Sequence, residues 1–589
     1  MTEKHKRSPA RGDRTGLAVP AADGKAKEKR SPTTTAVHSS SSAAGAIPRQ
    51  YRRVTRVEVR GATSPEGKPW VQVSAQGSGP SAWIPLGDLA DDAAAAKKRL
   101  RAAGIHLFKE DQADAIDKAR GVSAFPPEPL IEHSGWVDRH FALPSGRVIS
   151  PPSDQSDSVP VVLFDVDPVK CASSGTLEDW LGGVERLAVG QAIITFVLMV
   201  AFAAPILRLS RVRENVGFEL AGPKGLGKST AQQLASSICG GALEPAGRNY
   251  WISGNTTANA IEDQFPIHAD MPLLIEETSL FHAGESDKVR TTKFKEFIFR
   301  ASTGAPKARK GASLADPVRF TYLTSANDGF ATLLGGHTSE AGAAAADRLL
   351  TIPIAATRRH GIFSKLPAGC YDGDDAARAI AKLVSTNFGT AMPHFLNGLV
   401  EARHQDETTL RADIEAFMDE FRNKAGVDGN SGTDARVADA FGLAYAAGRL
   451  AQQYGALPSK LPVRSAALRC HALNRKAAGR ALSQLTRLRM IARRRDTLEI
   501  GAREPLKVSE SEIFNTPAII RINKQGVREL LISPGALARL FPSPKALLRD
   551  KAVRAIMRCD EGRSTVKVVV HPRGKARRFH VFRLSENDA

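Results

Sequence analysis

The sequence predicts an α/β fold with a parallel β-sheet core, a small N-terminal α+β domain and a basic, winged-helix-like C-terminal domain. Three observations lead to this prediction. Apolar runs that end abruptly in polar residues recur through the middle of the chain, as the buried strands of a parallel sheet do. A glycine-rich motif joins the first of these runs to a helical pattern. With 589 residues, the chain is also longer than one hydrophobic core usually serves.

Composition and patterning divide the chain into five regions. Residues 1–50 are rich in Ser, Thr, Ala, Lys and Arg, contain few large apolar residues and are expected to be a disordered basic tail. Residues 51–180 alternate polar and apolar positions in short runs and are expected to form the α+β domain. Residues 181–360 are the predicted sheet core, residues 361–460 a helical lid, and residues 461–589 the basic C-terminal domain.

The net charge of +20 is concentrated at the two ends of the chain. Residues 1–60 carry 14 basic and 5 acidic side chains, and residues 461–589 carry 28 basic and 11 acidic ones, which leaves the middle slightly acidic. This distribution favours a catalytic core flanked by parts that contact a polyanion such as nucleic acid. The alternative is that the basic surfaces only keep the chain soluble.

Cysteine usage argues against a disulfide framework and against a zinc site. The five cysteines lie far apart, and no Cys-x-x-Cys pair or histidine stands at ligand spacing from them. The basic N-terminal stretch lacks the apolar segment of a secretory signal. These features predict a reducing, cytoplasmic setting.

An uncharged segment at Leu187–Leu207 is long enough to cross a bilayer. It is interrupted by Gln191 and Pro205, and three arginines follow it. A helix buried under a sheet has the same composition, and we favour this interpretation because a strand with a phosphate-binding motif starts shortly afterwards. We therefore expect no membrane association.

The strongest signal follows the apolar run VGFELA. Gly222-Pro-Lys-Gly-Leu-Gly-Lys-Ser229 fits the pattern G-x-x-x-x-G-K-[ST] of a phosphate-binding loop, the Walker A motif, and a helical pattern comes next. In such a loop, glycines let backbone N–H groups close around phosphate oxygens, Lys228 reaches the β- and γ-phosphates, and the Ser229 hydroxyl binds Mg²⁺. ATP and Mg²⁺ are therefore the predicted cofactors. The predicted nucleotide-binding residues are Gly222, Pro223, Lys224, Gly225, Leu226, Gly227, Lys228, Ser229 and Thr230.

Two adjacent acids, Glu276 and Glu277, follow the apolar run Leu273–Ile275. The carboxyl end of a buried strand is where a parallel sheet binds its ligand, and neighbouring strand residues point to opposite faces. The two acids are therefore expected to have different roles. Glu276 would hold Mg²⁺, directly or through water, and Glu277 would orient and polarise the attacking water as a catalytic base. The alternative is a solvated helix start.

A third apolar run begins at Val318, turns polar at its end and would bring Thr324, Ser325 or Asn327 beside the γ-phosphate. Asn327 is the predicted sensor of that phosphate, and an ordinary turn is the alternative. Arg348 precedes a further strand, at a place where a ring-forming ATPase would offer an arginine finger to its neighbour's nucleotide. A surface arginine is the alternative there.

Between the second and third runs, a helical pattern leads into a glycine-containing basic turn with Lys307, Arg309 and Lys310. In a ring of subunits, a basic hairpin at this place would project into the pore and could grip the phosphates of a single strand. These three residues are therefore predicted nucleic-acid contacts. A solvated basic loop is the alternative.

The order of these motifs resembles the domain-of-unknown-function family 927, found in helicase-like proteins of phages and mobile elements. The resemblance lies in the phosphate-binding loop, TTANAIE ending at Glu262, PLLIEET, FRASTGAPKARKG, LTSAND and ADRLLTIPI, and it covers most of residues 51–460. More loosely, the chain is similar to superfamily three helicases of the AAA+ class. It departs from the family pattern at Glu276, where an aspartate is more usual, and at Asn327-Asp328, where Gly-Glu is frequent.

This resemblance implies an ATPase and suggests a DNA helicase that forms a homo-oligomeric ring, with a separate primase as a further partner. It also makes Arg436, at the start of RVADAFGLA, a candidate second-sensor residue. Nothing in the chain resembles a polymerising primase centre or its zinc-binding module.

Two basic elements stand out in the C-terminal region. Residues 477–495, AAGRALSQLTRLRMIARRR, have the pattern of a basic amphipathic helix, and residues 564–584 have that of a basic hairpin with Phe579 and Phe582. In a winged-helix-like arrangement, the helix and the hairpin would face DNA phosphates. The alternative is an accessory domain that only packs on the lid.

Two functions from different classes are consistent with the sequence. The first is a Mg²⁺-dependent, nucleic-acid-stimulated ATPase that works as a helicase-like motor, with single-stranded DNA as its partner, in the replication of a phage or mobile element. The second is an ATP-binding initiator or switch protein that binds DNA and hydrolyses ATP slowly or not at all. A substrate kinase is disfavoured because adjacent acids end the second strand and both ends of the chain are basic.

Overall fold

The computed structural model of this protein describes most of the chain from residue 56 to residue 584. Within that range it leaves out residues 77–78, 92, 153–158, 168, 244–248, 256, 279–283, 306–316, 328, 330–343, 428–431, 479–483, 495, 501–508, 524, 542–543, 561–562 and 571–573. The predicted basic tail, residues 1–50, therefore lies outside the described residues.

The N-terminal part begins with an antiparallel sheet of three strands, β1 (Val57–Thr63), β2 (Pro69–Ala75) and β3 (Ser81–Pro85). Three helices follow, α1 (Leu86–Asp91), α2 (Ala93–Ala102) and α3 (Lys109–Arg120). Val71 and Val73 of β2 are buried and pack with Leu100 of α2 and Ile116 of α3. The predicted strands form because their alternating pattern buries one face of the sheet.

Five short strands lead from this sheet towards the main core: β4 (Leu130–Ile131), β5 (Gly135–Val137), β6 (His140–Ala142), β7 (Val148–Ile149) and β8 (Val161–Val162). Strands β5, β6 and β7 form an antiparallel sheet. Trp136 and Phe141 are buried with ring centroids 5.0 Å apart. The indole N–H of Trp136 donates to the carbonyl of Pro205 at 2.8 Å, which ties the hairpin to the apolar segment.

The uncharged segment lies in α4 (Leu177–Ala188), α5 (Ala192–Ala203) and a 3₁₀ turn (Ala204–Leu209). By length and composition alone the stretch Ala192–Leu209 could cross a membrane, and 89% of it is buried inside the protein. Phe196 of α5 packs against Phe218 and Phe441, with ring centroids 5.0 and 5.1 Å away. The segment is thus a core helix of this fold.

The central sheet has five parallel strands, β9 (Val216–Ala221), β10 (Ile252–Ser253), β11 (Pro272–Glu276), β12 (Thr321–Ala326) and β13 (Leu349–Pro353). The helices between these strands are α6 (Lys228–Cys239), α7 (Ala258–Glu262), a 3₁₀ turn (Pro266–His268) and α8 (Asp287–Thr303). The strand order β10-β11-β12-β9-β13 places β12 between the acid-bearing β11 and the loop-bearing β9. The predicted parallel sheet is thereby confirmed, and its carboxyl ends meet at one edge.

Apolar side chains cover both faces of the sheet, which explains why its strands are continuous apolar runs. On one face, Phe218 of β9 belongs to a cluster with residues of α5 and α6. On the other face, Ile275 and Tyr322 belong to a cluster with Phe297 of α8.

Four helices follow the sheet: α9 (Gly373–Thr386), α10 (Ala391–Ala425), α11 (Gly432–Gln453) and α12 (Val463–Ala477). The backbone of α10 is non-helical at Asp406, whose carboxylate accepts hydrogen bonds from the N–H groups of Thr408 and Thr409. Most of the segment 361–460 is therefore helical in the structure. Phe441 of α11 packs on Phe218 of β9, so α11 shares one hydrophobic core with the sheet.

The C-terminal region contains the helices α13 (Gln484–Ala492), α14 (Glu510–Asn515), α15 (Pro534–Leu540), α16 (Pro544–Arg549) and α17 (Lys551–Ile556). Its strands are β14 (Thr497–Ile500), β15 (Ala518–Ile522), β16 (Arg528–Ile532), β17 (Met557–Arg558), β18 (Val566–Val568) and β19 (Arg577–Arg583). They form one mixed sheet in the order β14-β15-β16-β19-β17, with β18 also paired to β19. The predicted helix and the β18–β19 hairpin are both present, but the hairpin belongs to a larger sheet that the winged-helix-like prediction did not include.

Candidate nucleotide-binding site

The phosphate-binding loop connects β9 to α6, as its sequence predicts. Gly225 and Gly227 have φ angles of 77° and 81°, in the left-handed region that favours glycine. A side chain at Gly222 is excluded because its Cβ would lie 2.4 Å from the carbonyl oxygen of Ile354. The glycines therefore serve both the backbone turn and the close approach of β13.

Lys228, the first residue of α6, is buried beneath the loop. Its ammonium donates to the carbonyl oxygens of Gly222 and Pro223 at 2.6 and 2.9 Å and to Asn327 Oδ1 at 3.2 Å. Burial lowers the pKa of Lys228; the nearby carboxylate of Glu277 opposes this shift, and Lys224 adds to it. A cation in this position is partly desolvated and therefore attracts an anion strongly.

Asn327 links Lys228 to Glu277. Its amide Nδ2 donates to Glu277 Oε1 at 3.1 Å, while its Oδ1 accepts from Lys228. The three side chains come from the carboxyl ends of β12 and β11 and from the loop after β9, which the strand order brings side by side. The structure thus joins the predicted sensor, the predicted base and the predicted phosphate-binding lysine in one hydrogen-bonded chain.

A local break in β11 directs Glu277 into the site. Glu277 has a φ of 56°, which is uncommon outside glycine, and its backbone N–H donates to Ser325 Oγ at 3.1 Å. The hydroxyl of Thr278 donates to the carbonyl of Ser325 at 3.0 Å. Gly254 packs against this turn so closely that a Cβ would lie 2.4 Å from the Glu277 carbonyl oxygen. These contacts hold a strained backbone, which is typical of functional sites.

Glu276 is placed differently from Glu277. It is the last residue of β11, and its carbonyl oxygen accepts from the Gly254 N–H at 2.6 Å. The Glu276 side chain is half-buried and does not line the cavity into which Glu277 projects. The two acids are thus separated, as their adjacent positions predicted.

The cavity at this edge of the sheet has a volume of about 620 Å³, within the usual range for small-molecule sites. Its walls are residues 224–230 of the loop, Glu277, Asn327, the segment 358–361 with Phe363, and residues 372–374 with Ala377 from the start of α9. Seven of the nine predicted loop residues, Lys224 to Thr230, line it. Gly222 and Pro223 instead bind the lysine through their carbonyl groups.

Sequence reasoning missed Arg358, Arg359 and His360, which line the same cavity. They follow β13, so the rule that drew attention to the carboxyl ends of the other strands applied to them as well. Sequence reasoning also missed Gln232 on α6. Its Nε2 donates to the carbonyls of Ile275 and Leu323 at 3.0 and 3.3 Å. This buried amide fastens the lysine-bearing helix to the ends of β11 and β12.

Arg348 and Arg436, the other two predicted site residues, do not line the cavity. Arg348 lies before the amino end of β13, where its guanidinium is 3.8 Å from Glu214 and 4.8 Å from the ring centroid of Phe299. Arg436 is exposed in the first part of α11. Their roles as finger and second sensor remain predictions.

Lys307, Arg309 and Lys310 lie outside the described residues, as does Asp328. The helix that leads towards the predicted basic hairpin is described and ends at Thr303. On it, Arg300 forms an ion pair with Glu262, the residue that closes TTANAIE, and this carboxylate is almost completely buried. Glu262 therefore anchors α8 to α7.

Comparisons with known proteins gave one family match and similar solved structures. Residues 81–309 match DUF927, a domain of unknown function. A solved structure described as "SCCmec type IV Cch - active helicase" is similar over 90% of this chain and 93% of its own, with a TM-score of 0.50 and 14% identity. The apo C-terminal region of NrS-1 matches over 65% of this chain and 84% of its own, at a TM-score of 0.26 and 11% identity. A search of curated proteins gave no match.

The family match ends at residue 309. Three features of the resemblance lie beyond it: the motifs LTSAND and ADRLLTIPI, and Arg436. The match does include the phosphate-binding loop and both acids. The resemblance proposed from the motifs is confirmed for this part: residues 81–309 match the DUF927 family model, and the chain is similar in fold to a solved structure described as a helicase.

Proposed function

We propose that this protein is a Mg²⁺-dependent ATPase that acts as a helicase-like motor in the replication of a phage or mobile element. The observation that carries the proposal is the hydrogen-bonded chain of Lys228, Asn327 and Glu277 on the wall of a cavity beside a complete phosphate-binding loop. The residues proposed for phosphate binding, sensing and base catalysis thus lie at one edge of one sheet. The fold shared with an active helicase agrees with this proposal.

The loop and α6 would hold the triphosphate. Backbone N–H groups of the loop and the amino end of α6 favour negative charge, and the desolvated ammonium of Lys228 would exchange its carbonyl partners for phosphate oxygens. Since the ammonium already lies against the loop, little movement is needed. This exchange would also break the hydrogen bond from Lys228 to Asn327 Oδ1.

Mg²⁺ fits the oxygen donors of this cavity. No cluster of three or more His, Cys, Asp or Glu side chains within the described residues could hold a metal by itself. Mg²⁺ bound with a nucleotide needs no such cluster, because phosphates and water supply most of its ligands. Ser229, which lines the cavity, would bind the ion through its hydroxyl. Glu276, which does not line the cavity, would bind the ion through a water molecule. When bound, the ion would neutralise charge that develops on the phosphates.

Glu277 and Asn327 would act on the attacking water. The Glu277 carboxylate is held by the Asn327 amide at 3.1 Å and faces the cavity, so it can accept a hydrogen bond from water and polarise it. Asn327 touches both Glu277 and Lys228, so the position of the lysine depends on the same amide that orients the base. Loss of the γ-phosphate would therefore alter both the contact of Asn327 with Lys228 and its contact with Glu277.

Nucleic acid is the proposed partner, with single-stranded DNA as the track of the motor. The C-terminal region carries 28 basic and 11 acidic side chains, and Lys567, Arg577 and Arg583 of the β18–β19 hairpin are exposed. Such a surface suits contacts with phosphates. A homo-oligomeric ring with Arg348 as finger, a basic pore hairpin at Lys307, Arg309 and Lys310, a separate primase and a cytoplasmic location complete the proposal.

One observation favours a second function, an ATP-dependent initiator or switch with slow hydrolysis. Glu276 departs from the usual aspartate and its side chain does not line the cavity. If it does not reach the metal, Ser229 is the main protein ligand and turnover would be slow. ATP binding would then order an assembly on DNA without driving movement.

Steady-state ATP hydrolysis with Mg²⁺, measured with and without single-stranded DNA, tests the proposal. We expect DNA to stimulate hydrolysis, Lys228→Ala to lose it through weaker ATP binding, and Glu277→Gln to bind ATP while kcat falls about 10²- to 10⁴-fold. Two exposed residues away from the cavity supply matched controls: Lys98→Ala and Glu401→Gln should both behave as the wild type.

The two functions give different outcomes. DNA-stimulated hydrolysis, lost in both site variants, would support the motor and justify a strand-displacement assay, in which neutralising the basic residues at 307, 309 and 310 should stop unwinding. ATP binding with little hydrolysis and no response to DNA would leave only the switch. A wild-type protein that binds no ATP would contradict both.

A further inference from the structure

The cavity contains an arginine that has no acidic partner among the described residues. Arg358 lines the cavity and donates from Nη2 to the hydroxyl of Ser364 at 3.2 Å, a neutral acceptor. Within the described residues, no carboxylate pairs with its guanidinium. Burial lowers the pKa of Arg358 because it partly desolvates the charged guanidinium. The like charge of Arg469 lowers this pKa further. A guanidinium in these surroundings gains by binding an anion.

Three carboxylates line the cavity, Asp372, Asp374 and Glu277, and within the described residues none of them forms an ion pair with Arg358. Asp372 is the N-cap of α9, and its side chain accepts from the Asp375 N–H at 2.7 Å. Glu277 is bonded to Asn327. Arg358 follows β13, whereas Glu277 and Asn327 follow β11 and β12, so these groups approach the phosphate-binding loop from opposite sides of β9.

The backbone around Arg358 is fixed to the phosphate-binding loop. We call residues 355–364 the arginine segment. The Ile362 N–H donates to the carbonyl of Leu226 in the loop at 2.9 Å. The Ser364 N–H donates at 2.7 Å to Gln191, a fully buried residue at the start of α5. The segment is thus anchored at both sides, and its arginine is pre-organised relative to the loop.

We propose that Arg358 binds the terminal phosphate of the nucleoside triphosphate held by its own subunit, and so discriminates a triphosphate from a diphosphate. This inference rests on the proposed function, since it assigns a further phosphate-binding residue to the same site. The terminal phosphate follows from position. Loop amides enclose the inner phosphates and Lys228 approaches the β- and γ-phosphates from β9, which leaves the β13 side of the outermost phosphate to Arg358. Arg359, exposed on the same wall, is a weaker candidate.

Equilibrium binding of fluorescent ATP and ADP derivatives to the full chain tests the assignment. For Arg358→Ala we expect the ATP dissociation constant to rise about tenfold or more, as for a lost hydrogen bond to a charged group, with the ADP constant changed less than about twofold. Arg358→Lys, which keeps the charge but loses the planar fork, should recover part of the ATP affinity. Arg101→Ala, at an exposed arginine on α2, is the matched control and should match the wild type. Thermal melting confirms that each variant is folded.

The outcomes separate this inference from the proposed function. A wild-type protein that binds both nucleotides, together with a folded Arg358→Ala variant that binds ATP as well as the wild type does, would overturn only the role of Arg358. Equal weakening of ATP and ADP binding would also overturn it, because Arg358 would then not contact the terminal phosphate. A wild-type protein that binds neither nucleotide would overturn the proposed function and this inference with it.

Discussion

The contact between the arginine segment and the phosphate-binding loop can be tested at Gly361. This glycine has a φ of 58°, and a Cβ there would lie 2.4 Å from the carbonyl oxygen of Leu226. Real Cβ contacts stay beyond 3.0 Å, so Gly361→Ala must move the loop or the segment by at least about 0.6 Å. Leu226 lies two residues before Lys228, and misplacing a reactive group by about 1 Å can cost about 10²-fold in rate. We therefore expect Gly361→Ala to lower kcat/KM for ATP by about tenfold.

Gly369 provides the matched control for this variant. It also has a left-handed backbone, with φ of 82°, but a Cβ there would meet no atom within 4 Å. Both substitutions carry the backbone strain of a non-glycine residue, about 1–2 kcal/mol in the free energy of unfolding. Only Gly361→Ala adds the collision with the loop. If Gly369→Ala lowers kcat/KM as much as Gly361→Ala does, the arginine segment does not position the loop and the reasoning is wrong. The same conclusion follows if both variants are folded and neither has a lower kcat/KM.

Two further predictions concern other contacts. Asn327→Ala removes the hydrogen-bonded link between Lys228 and Glu277. We expect kcat to fall about 10²-fold while the ATP dissociation constant changes only a few-fold, and an unchanged kcat would show that Asn327 has no part in the mechanism. His471 is buried against Phe421 and Phe441, and this burial lowers its pKa to about 3. As the pH falls from about 6.5 towards 3, the unfolded chain protonates this histidine while the folded protein does not, so the free energy of unfolding falls. In urea unfolding between pH 6.5 and 4.5, His471→Phe should reduce the slope of unfolding free energy against pH by about 1.4 kcal/mol per unit, and an unreduced slope would contradict this.

Local rules predicted the parts of the site that depend on strand ends. Lys228, Asn327 and Glu277 could be placed together because parallel strands meet at one edge and the motif fixes the loop. The same rule draws attention to the residues after β13, but it does not show that Arg358 lines the cavity. Its position on the cavity wall depends on the hydrogen bond from Ile362 to the loop, a tertiary contact that no pattern in the arginine segment shows.

The boundaries of the core were harder to predict for a related reason. The segment 361–460 has a helical pattern, and helices there were expected to cover the sheet as a lid. Phe441 instead packs against Phe196 of the apolar helix and Phe218 of the sheet, so one core spans all three regions. Periodicity identifies a buried face on a helix but not the partner that covers it.

The position of Arg348 limits what it can do. It precedes β13, whereas the phosphate-binding loop begins at Gly222, after the far end of the adjacent β9. Leu349 pairs with Gly217, so Arg348 lies level with Val216, six residues before Gly222. At about 3.3 Å per residue the two points are about 20 Å apart along the sheet, farther than an arginine side chain reaches. Glu214 and Phe299 also hold its guanidinium at the amino edge. Arg348 therefore cannot contact a nucleotide bound by the loop of its own subunit, the role proposed above for Arg358. Any role for Arg348 in hydrolysis requires a second copy of the chain, so the predicted finger depends on the predicted ring.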